Sequence, residues 1–243
     1  MIGFRSTSRT GPVGSDAPAI PSSVERRLSS VQRQASGMAI AALHRAGVER
    51  PDAIIASTAL GCLDDTERFL GEMHDAAGAL LSPLPFMRST HNTVAGQLAL
   101  MLRCDGPNIT HAQGQHGFHA SLVEAMLMLQ EMPHWNILLV AIDERTDLLE
   151  GIGSALDPTV RIGSGGEAFV LTGMQPQGGI ARMDWMDADS SARPGRFTPD
   201  RARPVHGSLL AELPGDALLA GLREPLRIGA GSYGGTDLLI APC

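Results

Sequence analysis

The chain has 243 residues, 43% hydrophobic and 19% charged, which is enough apolar sequence to bury a substantial core as one large domain. A net charge of −7 gives no basic face for following phosphates, so nucleic acid is excluded as an expected partner. No stretch approaches the roughly 18 apolar residues of a membrane span and Met1–Thr10 holds no apolar run, so the expectation is a cytoplasmic protein without a membrane span. Cys62, Cys104 and Cys243 are an odd number without a CxxC pair; ordinary reduced thiols are expected, with neither a disulfide framework nor a zinc clip.

Residues 1–22 are rich in Ser, Gly, Pro and Thr and carry no apolar period, which predicts an extended or partly disordered N-terminal arm before a single domain over 23–243. From Ser23 to Arg45, Val24, Leu28, Val31, Ala35, Met38 and Ala42 recur at three- and four-residue steps, predicting one amphipathic helix capped by Ser22 or Ser23 and ending near Gly47. Ala53-Ile-Ile-Ala-Ser-Thr reads as a buried strand closed by Gly61, with Asp64 or Asp65 capping a helix through Phe69 and Met73. A helix from Asn92 to Met101, a short strand over Pro107–Ala112 and a regular helix over His116–Glu131, stopped by Pro133, follow. The continuous apolar runs from Asn136 and from Gly166 mark central strands covered on both faces. Residues 173–207 are rich in Gly, Pro, Arg and Asp and are expected to form loops or an edge element; Leu209–Leu222 reads as a last helix and Leu226–Ile240 as glycine-broken strand.

Ser89-Thr-His-Asn-Thr-Val-Ala-Gly-Gln-Leu-Ala-Leu, followed by Gly106-Pro-Asn-Ile-Thr-His-Ala-Gln-Gly-Gln-His-Gly-Phe-His-Ala, resembles the nucleophile region of β-ketoacyl synthases in the thiolase-like superfamily. Three further segments resemble that family in the same order. They are Ser57-Thr-Ala-Leu-Gly-Cys-Leu for its first glycine loop, Gly163-Ser-Gly-Gly-Glu-Ala-Phe-Val-Leu for its Gly-Glu-Gly strand opening, and Gly231-Ser-Tyr-Gly-Gly-Thr-Asp for its late glycine loop (Gly231, Tyr233, Gly234, Gly235 and Thr236). The resemblance implies a thiolase-like layered α/β fold. Because the space between Gly163 and Gly231 is short, a nearly complete first half is expected to join a strongly truncated second half.

The departures set the functional expectation. In the family a sharp elbow places a cysteine at the start of a buried helix, where the helix N-terminus favours the thiolate that takes the acyl chain. Here the elbow holds Gln115, which cannot form a thioester, and the family's Pro-Thr-Gly-Thr and Gly-His-Thr histidine segments are missing. A glutamine at the elbow is the pattern of chain length factors, the non-condensing subunits paired with active ketosynthases in type II polyketide systems; short forms resemble those of aryl-polyene clusters. The resemblance therefore implies no catalytic residue in this chain, a heterodimer with a catalytic β-ketoacyl synthase, and contact with an acyl carrier protein through that complex. The superfamily pairs the strand before the elbow across a two-fold axis, so Asn108, Ile109, Thr110, His111 and Ala112 are the expected interface strand. Phe86, Met87, Ile109, His111, Gln115 and Phe118 are expected at the interface or the partner's acyl tunnel.

Plainer readings stand beside these. Gln115 also fits a buried amide satisfied by backbone groups. His111, His116 and His119 lie close in sequence and His91 could approach them, but without a Cys or carboxylate at ligand spacing they read as ordinary polar or interface histidines, and no metal is expected. No cofactor is expected either: Gly229-Ala-Gly-Ser-Tyr-Gly matches GxGxxG, yet too few residues follow for a dinucleotide-binding βαβ unit. Asp143 and Glu144, after a strand end, read as solvated loop carboxylates, Cys62 and Cys104 as small packing residues, and Leu122, Met126 and Leu129 as core. The alternative from another class is an independent acyl-thioester decarboxylase or hydrolase using Gln115 with His116 or His206; a third is a homodimeric scaffold for carrier proteins.

Overall fold

A strand that is apolar at every central position needs cover on both faces, and that is where β4 (Asn136–Asp143) lies. The computed structural model describes residues 2–9, 18–75, 80–156, 164–174, 181–185, 226–228 and 238–242. β4 pairs in parallel with β2 (Ala53–Thr58), and β2 in parallel with β3 (Asn108–Ala112). On its other side β4 runs antiparallel to β5 (Gly165–Thr172), followed by β1 (Ile2–Arg9). The sheet continues through β6 (Ala181–Trp185), β8 (Leu238–Pro242) and β7 (Leu226–Ile228), giving the order β3-β2-β4-β5-β1-β6-β8-β7.

Side-chain alternation sorts the core into two layers. Ile54, Ala56, Leu138, Val140, Ala168 and Val170 face helices α2 (Ser30–Ala46) and α5 (Thr93–Leu102). Ala53, Ile55, Ile137, Leu139, Phe169 and Leu171 face helix α6 (Gly117–Glu131), whose Phe118, Leu122, Ala125, Met126 and Leu129 are buried there. The expected Leu122–Met126–Leu129 stripe is thus core, with no member more than 2% exposed. Each such side chain contributes about 1.5–3 kcal/mol on burial.

The predicted helices and strands from residue 30 to 172 are found in place, and the differences have local causes. The single helix expected over Ser23–Arg45 is two. Ser22–Glu25 forms α1, then Ser29 turns extended and its N–H donates to Oε1 of Gln32 at 2.8 Å, restarting the chain as α2. Gly47, in the left-handed region at φ +64°, ends it. Residues 2–9 are extended, but they form an internal strand paired with β5 on one side and β6 on the other, not an arm outside the sheet. Likewise β6 is flanked by β1 and β8, so this part of 173–207 is an internal strand and not an edge. Within the 226–240 run, the described residues 226–228 and 238–240 belong to the antiparallel strands β7 and β8. These last strands extend the same sheet at its far end. The Leu209–Leu222 helix expected from the sequence, His206, and the loop carrying Gly231, Tyr233, Gly234, Gly235 and Thr236 lie outside the described residues.

Candidate functional site

The elbow is built from its neighbours upward. Ile54 N–H donates to the Pro107 carbonyl at 2.9 Å, and a Cβ on Gly106 would overlap the Asp52 carbonyl oxygen; only glycine lets the Gly-Pro-Asn turn lie on the start of β2. β3 then runs outward along β2, with Ile54 opposite Asn108 and Thr58 opposite Ala112. After β3 the chain tightens into a single 3₁₀ turn, Gly114–His116, with Gly114 at φ +56° and His116 N–H donating to the Gln113 carbonyl at 3.1 Å. Gln115 is the middle residue of this turn, directly before the first turn of α6. The helix presses close to the sheet: a Cβ on Gly117 would lie 3.0 Å from Ser57 Oγ and 3.2 Å from the His111 carbonyl oxygen. Position 115 thus sits between a strand end and the N-terminus of a helix, the end whose dipole favours a negative charge such as a thiolate. A neutral amide occupies that position and offers no nucleophile.

β3 lies at one end of the sheet and pairs with β2 alone among the described residues. Its two faces differ. Asn108 Nδ2 donates to the Ala95 carbonyl and Thr110 Oγ1 to Asn92 Oδ1, each at 2.8 Å, which fixes these two on the α5 side. Ile109 and His111 consequently face the α6 side. Nε2 of His111 is buried without a hydrogen-bond partner, and burial holds the imidazole pKa below its ordinary value against the opposing charge of Glu124. His91 is on the opposite side of the sheet, beside Gly61, so it does not join His111. Among the described residues no group of three metal-ligating side chains assembles.

A short helix unforeseen from sequence, α4 (Pro83–Arg88), follows helix α3 (Leu63–Asp75) and precedes α5. Phe86 and Met87 are 55% and 64% exposed, and the Phe86 ring lies 5.2 Å from that of Phe69 on α3. Leu70, Met73 and Leu84 are also exposed on these two helices. Thr93 Oγ1 donates to the Met87 carbonyl at 3.1 Å, and Asn92 receives Thr110, so this apolar surface is tied to β3 through the start of α5. Phe118, expected at the interface or the tunnel, is 1% exposed, and its ring lies at a tilt to that of Phe169 with centroids 5.8 Å apart. The amphipathic period of α6 points it into the core.

Between α2, the end of β2 and the start of α5 lies a small cleft lined by apolar Val31, Ala56 and Val94 with Cys62, His91 and Thr110. Cys62 is buried, and its thiol is pushed up to about 12 by burial and by the charges of Glu144 and Asp65. It is a packing residue, as is buried Cys104. The Cys62 peptide is expected to resist iodoacetamide in the native protein at pH 8 and to label in guanidinium; labelling within minutes in the native state would contradict this assignment.

Asp143 and Glu144 are not solvated loop carboxylates. Asp143 is 4% exposed and accepts hydrogen bonds from Thr58 Oγ1 at 3.0 Å and Ala59 N–H at 2.6 Å; Thr58 Oγ1 in turn accepts Gly61 N–H at 3.0 Å. Glu144 is half-buried and its Oε2 accepts Asp64 N–H at 3.2 Å. The cap on α3 is therefore a carboxylate from a turn 80 residues away, while Asp64 and Asp65 sit inside the first turn. The Asp-Glu pair after a strand was visible in the sequence, but no local pattern reports a partner so distant along the chain.

A search by sequence against curated proteins gives no significant match. The fold matches a chain from the complex of a ketosynthase with its chain length factor from Xenorhabdus doucetiae, at a TM-score of 0.67 and 17% identity, over 99% of this chain and 98% of that one. It also matches a chain of the ishigamide ketosynthase/chain length factor (TM-score 0.58, 15% identity, 79% of this chain and 64% of that one). A β-ketoacyl synthase from Burkholderia phymatum matches at TM-score 0.58 and 11% identity, over 70% of this chain and 58% of that one. The latter two are longer: the chain spans less than two thirds of their length, whereas the first match has nearly its own length. The fold is thus the thiolase-like fold of ketosynthases, with a first half carrying the elbow and only part of a second. The family model for the N-terminal domain of β-ketoacyl synthases matches residues 5–149, from β1 through β4 into α7 (Asp147–Leu156), and the chain belongs to that family.

Proposed function

We propose that this protein is a non-condensing subunit of the chain-length-factor type, which pairs with a catalytic ketosynthase and shapes the tunnel in which that partner's acyl chain grows. The observation that carries this reading is Gln115 in the middle of the turn between β3 and α6, where the family's chemistry requires a thiolate. The outer edge of β3, unpaired among the described residues, supports it as well, because such an edge invites pairing with another chain. Two of the fold relatives, each a ketosynthase with a chain length factor, agree with a paired assembly.

In this reading the partner contributes the cysteine and histidines, and this chain contributes shape. Phe86, Met87, Ile109 and His111 lie on or beside the two-fold edge, and a bulky side chain closing a tunnel makes further extension an overpacking penalty of about 1–3 kcal/mol. Aryl-polyene or other type II polyketide-like chains, delivered on an acyl carrier protein, are the products proposed. The test is a condensation assay of co-expressed candidate ketosynthases with and without this chain, followed by Phe86→Ala, Met87→Ala and Ile109→Ala. Product is expected only with the chain present, and at least one substitution should lengthen it. Unchanged product length for every substitution would reject tunnel shaping, and thioester turnover by the chain alone would favour an independent decarboxylase or hydrolase.

A further inference from the structure

Although the chain as a whole carries a net charge of −7, four arginines gather at one corner of it. Arg26 and Arg27 follow α1, Arg33 lies near the start of α2, and Arg88 closes α4. Two of their guanidinium groups converge on neighbouring backbone carbonyls. Arg33 Nη2 donates to the Leu28 carbonyl at 3.3 Å, and Arg88 Nη2 donates to the Arg27 carbonyl. Each bond fixes one planar fork and leaves its other N–H groups for a further acceptor. Arg26, Arg27 and Arg33 are exposed, and among the described residues none of the four forms an ion pair. Glu25, Asp64 and Asp65 are the carboxylates beside them, and Asp65 feels the Arg88 charge, yet the balance of the corner stays positive.

The corner has a defined place relative to the elbow. α2 begins where β2 ends, since Val31 lines one cleft with Thr58 and Gly61. β3 ends beside Thr58 too, at Ala112, and the turn holding position 115 follows. The arginines and the elbow therefore share one end of the sheet. Phe86 and Met87, exposed just before Arg88, set apolar surface against the cations.

We propose that Arg26, Arg27, Arg33 and Arg88 form a docking surface for an acidic amphipathic helix of a carrier protein, so that this non-condensing chain helps to seat the carrier at the elbow end of the complex. Identifying the acidic partner as a carrier protein rests on the partner-subunit reading; the positive corner does not. Carboxylates on a helix that also offers apolar side chains match guanidinium groups bordered by Phe86 and Met87. Forks already held on backbone carbonyls lose little freedom when a carboxylate arrives. An extended polyanion such as nucleic acid fits less well, because it would run past the corner over a protein of negative total charge.

The test titrates the full chain, alone and co-expressed with a ketosynthase, into the acyl carrier protein of the same genome neighbourhood, labelled on its phosphopantetheine thiol and read by fluorescence anisotropy. Arg26→Glu combined with Arg27→Glu is expected to weaken carrier binding at least tenfold, as an order-of-magnitude figure, at low salt, and raising salt from about 50 to about 300 mM should remove most of that difference. Arg50→Glu, whose native side chain pairs with Asp105 ahead of β2 at the other end of the sheet, should bind as wild type does. The double variant should keep the wild-type Tm and its assembly with the ketosynthase; if reversal unfolds the chain, Arg26→Gln with Arg27→Gln replaces it and should weaken binding in the same direction. Unchanged affinity in the variant that folds, or wild-type affinity indifferent to salt, overturns the proposal. Tighter binding of a DNA duplex at the same arginines overturns it as well, by marking a general polyanion site. Arginine-dependent carrier binding by the chain alone, with no ketosynthase assembled, keeps the docking surface and removes the partner-subunit reading.

Discussion

Replacing Gly106 by alanine is expected to lower stability by about 3 kcal/mol, among the largest effects of a single methyl group in this chain. The added Cβ would overlap the backbone carbonyl oxygen of Asp52, and that carbonyl is not free to retreat. Asp52 N–H donates to the Asn136 carbonyl at 2.9 Å, and Asp52 Oδ2 accepts Asn136 N–H at 2.7 Å, so the residue clamps the starts of β2 and β4 together. Relief must come from β3, which is held only at the sheet edge. For a domain of this size the cost corresponds to about 6–12 °C in Tm, read by thermal melting of the purified chain. A Gly106→Ala protein melting within a degree of wild type would show that the turn does not lie against β2 as described.

The second large effect is expected in binding, not folding. The double variant Phe86→Asp and Met87→Asp places two charges on a surface where both native side chains are more than half exposed, so the Tm should move little. Partner affinity should fall at least 100-fold, because truncated apolar anchors at the centre of an interface commonly cost about 2–4 kcal/mol and a charge adds desolvation. Titration calorimetry against the ketosynthase measures it. A binding loss accompanied by a large drop in Tm would indicate that Phe86 supports the fold through Phe69, and an unchanged affinity would remove α4 from the interface.

Much of the fold was legible because its signals are local. The apolar runs of β4 and β2 and the period of α6 are each decided by side chains within one element, and the glycine punctuation around Gly106 and Gly114 marks where the backbone must turn sharply. β1 was missed because Ile2–Arg9 alternates polar and apolar residues too weakly to announce a strand; its place depends on β5 and β6, which lie more than 150 residues further along the chain. A separation of 80 residues hid Glu144, whose role as the cap of α3 exists only once β4 lies beside β2.

The site was legible to a similar depth. Position 115 and the β3 edge followed from motif order, and the structure brings them together as a strand, a 3₁₀ turn and a helix start. The sequence reading grouped Phe86, Met87 and Phe118, and helix phase separates them: Phe118 points inward to Phe169, while Phe86 and Met87 are exposed on a helix too short to show a period.

The most direct test of the central claim is the native mass of this chain co-expressed with a ketosynthase from its own genome neighbourhood. The account predicts a one-to-one heterodimer that condenses acyl-carrier thioesters only while intact. A chain that remains alone or self-paired beside a ketosynthase that is fully active without it would contradict the account.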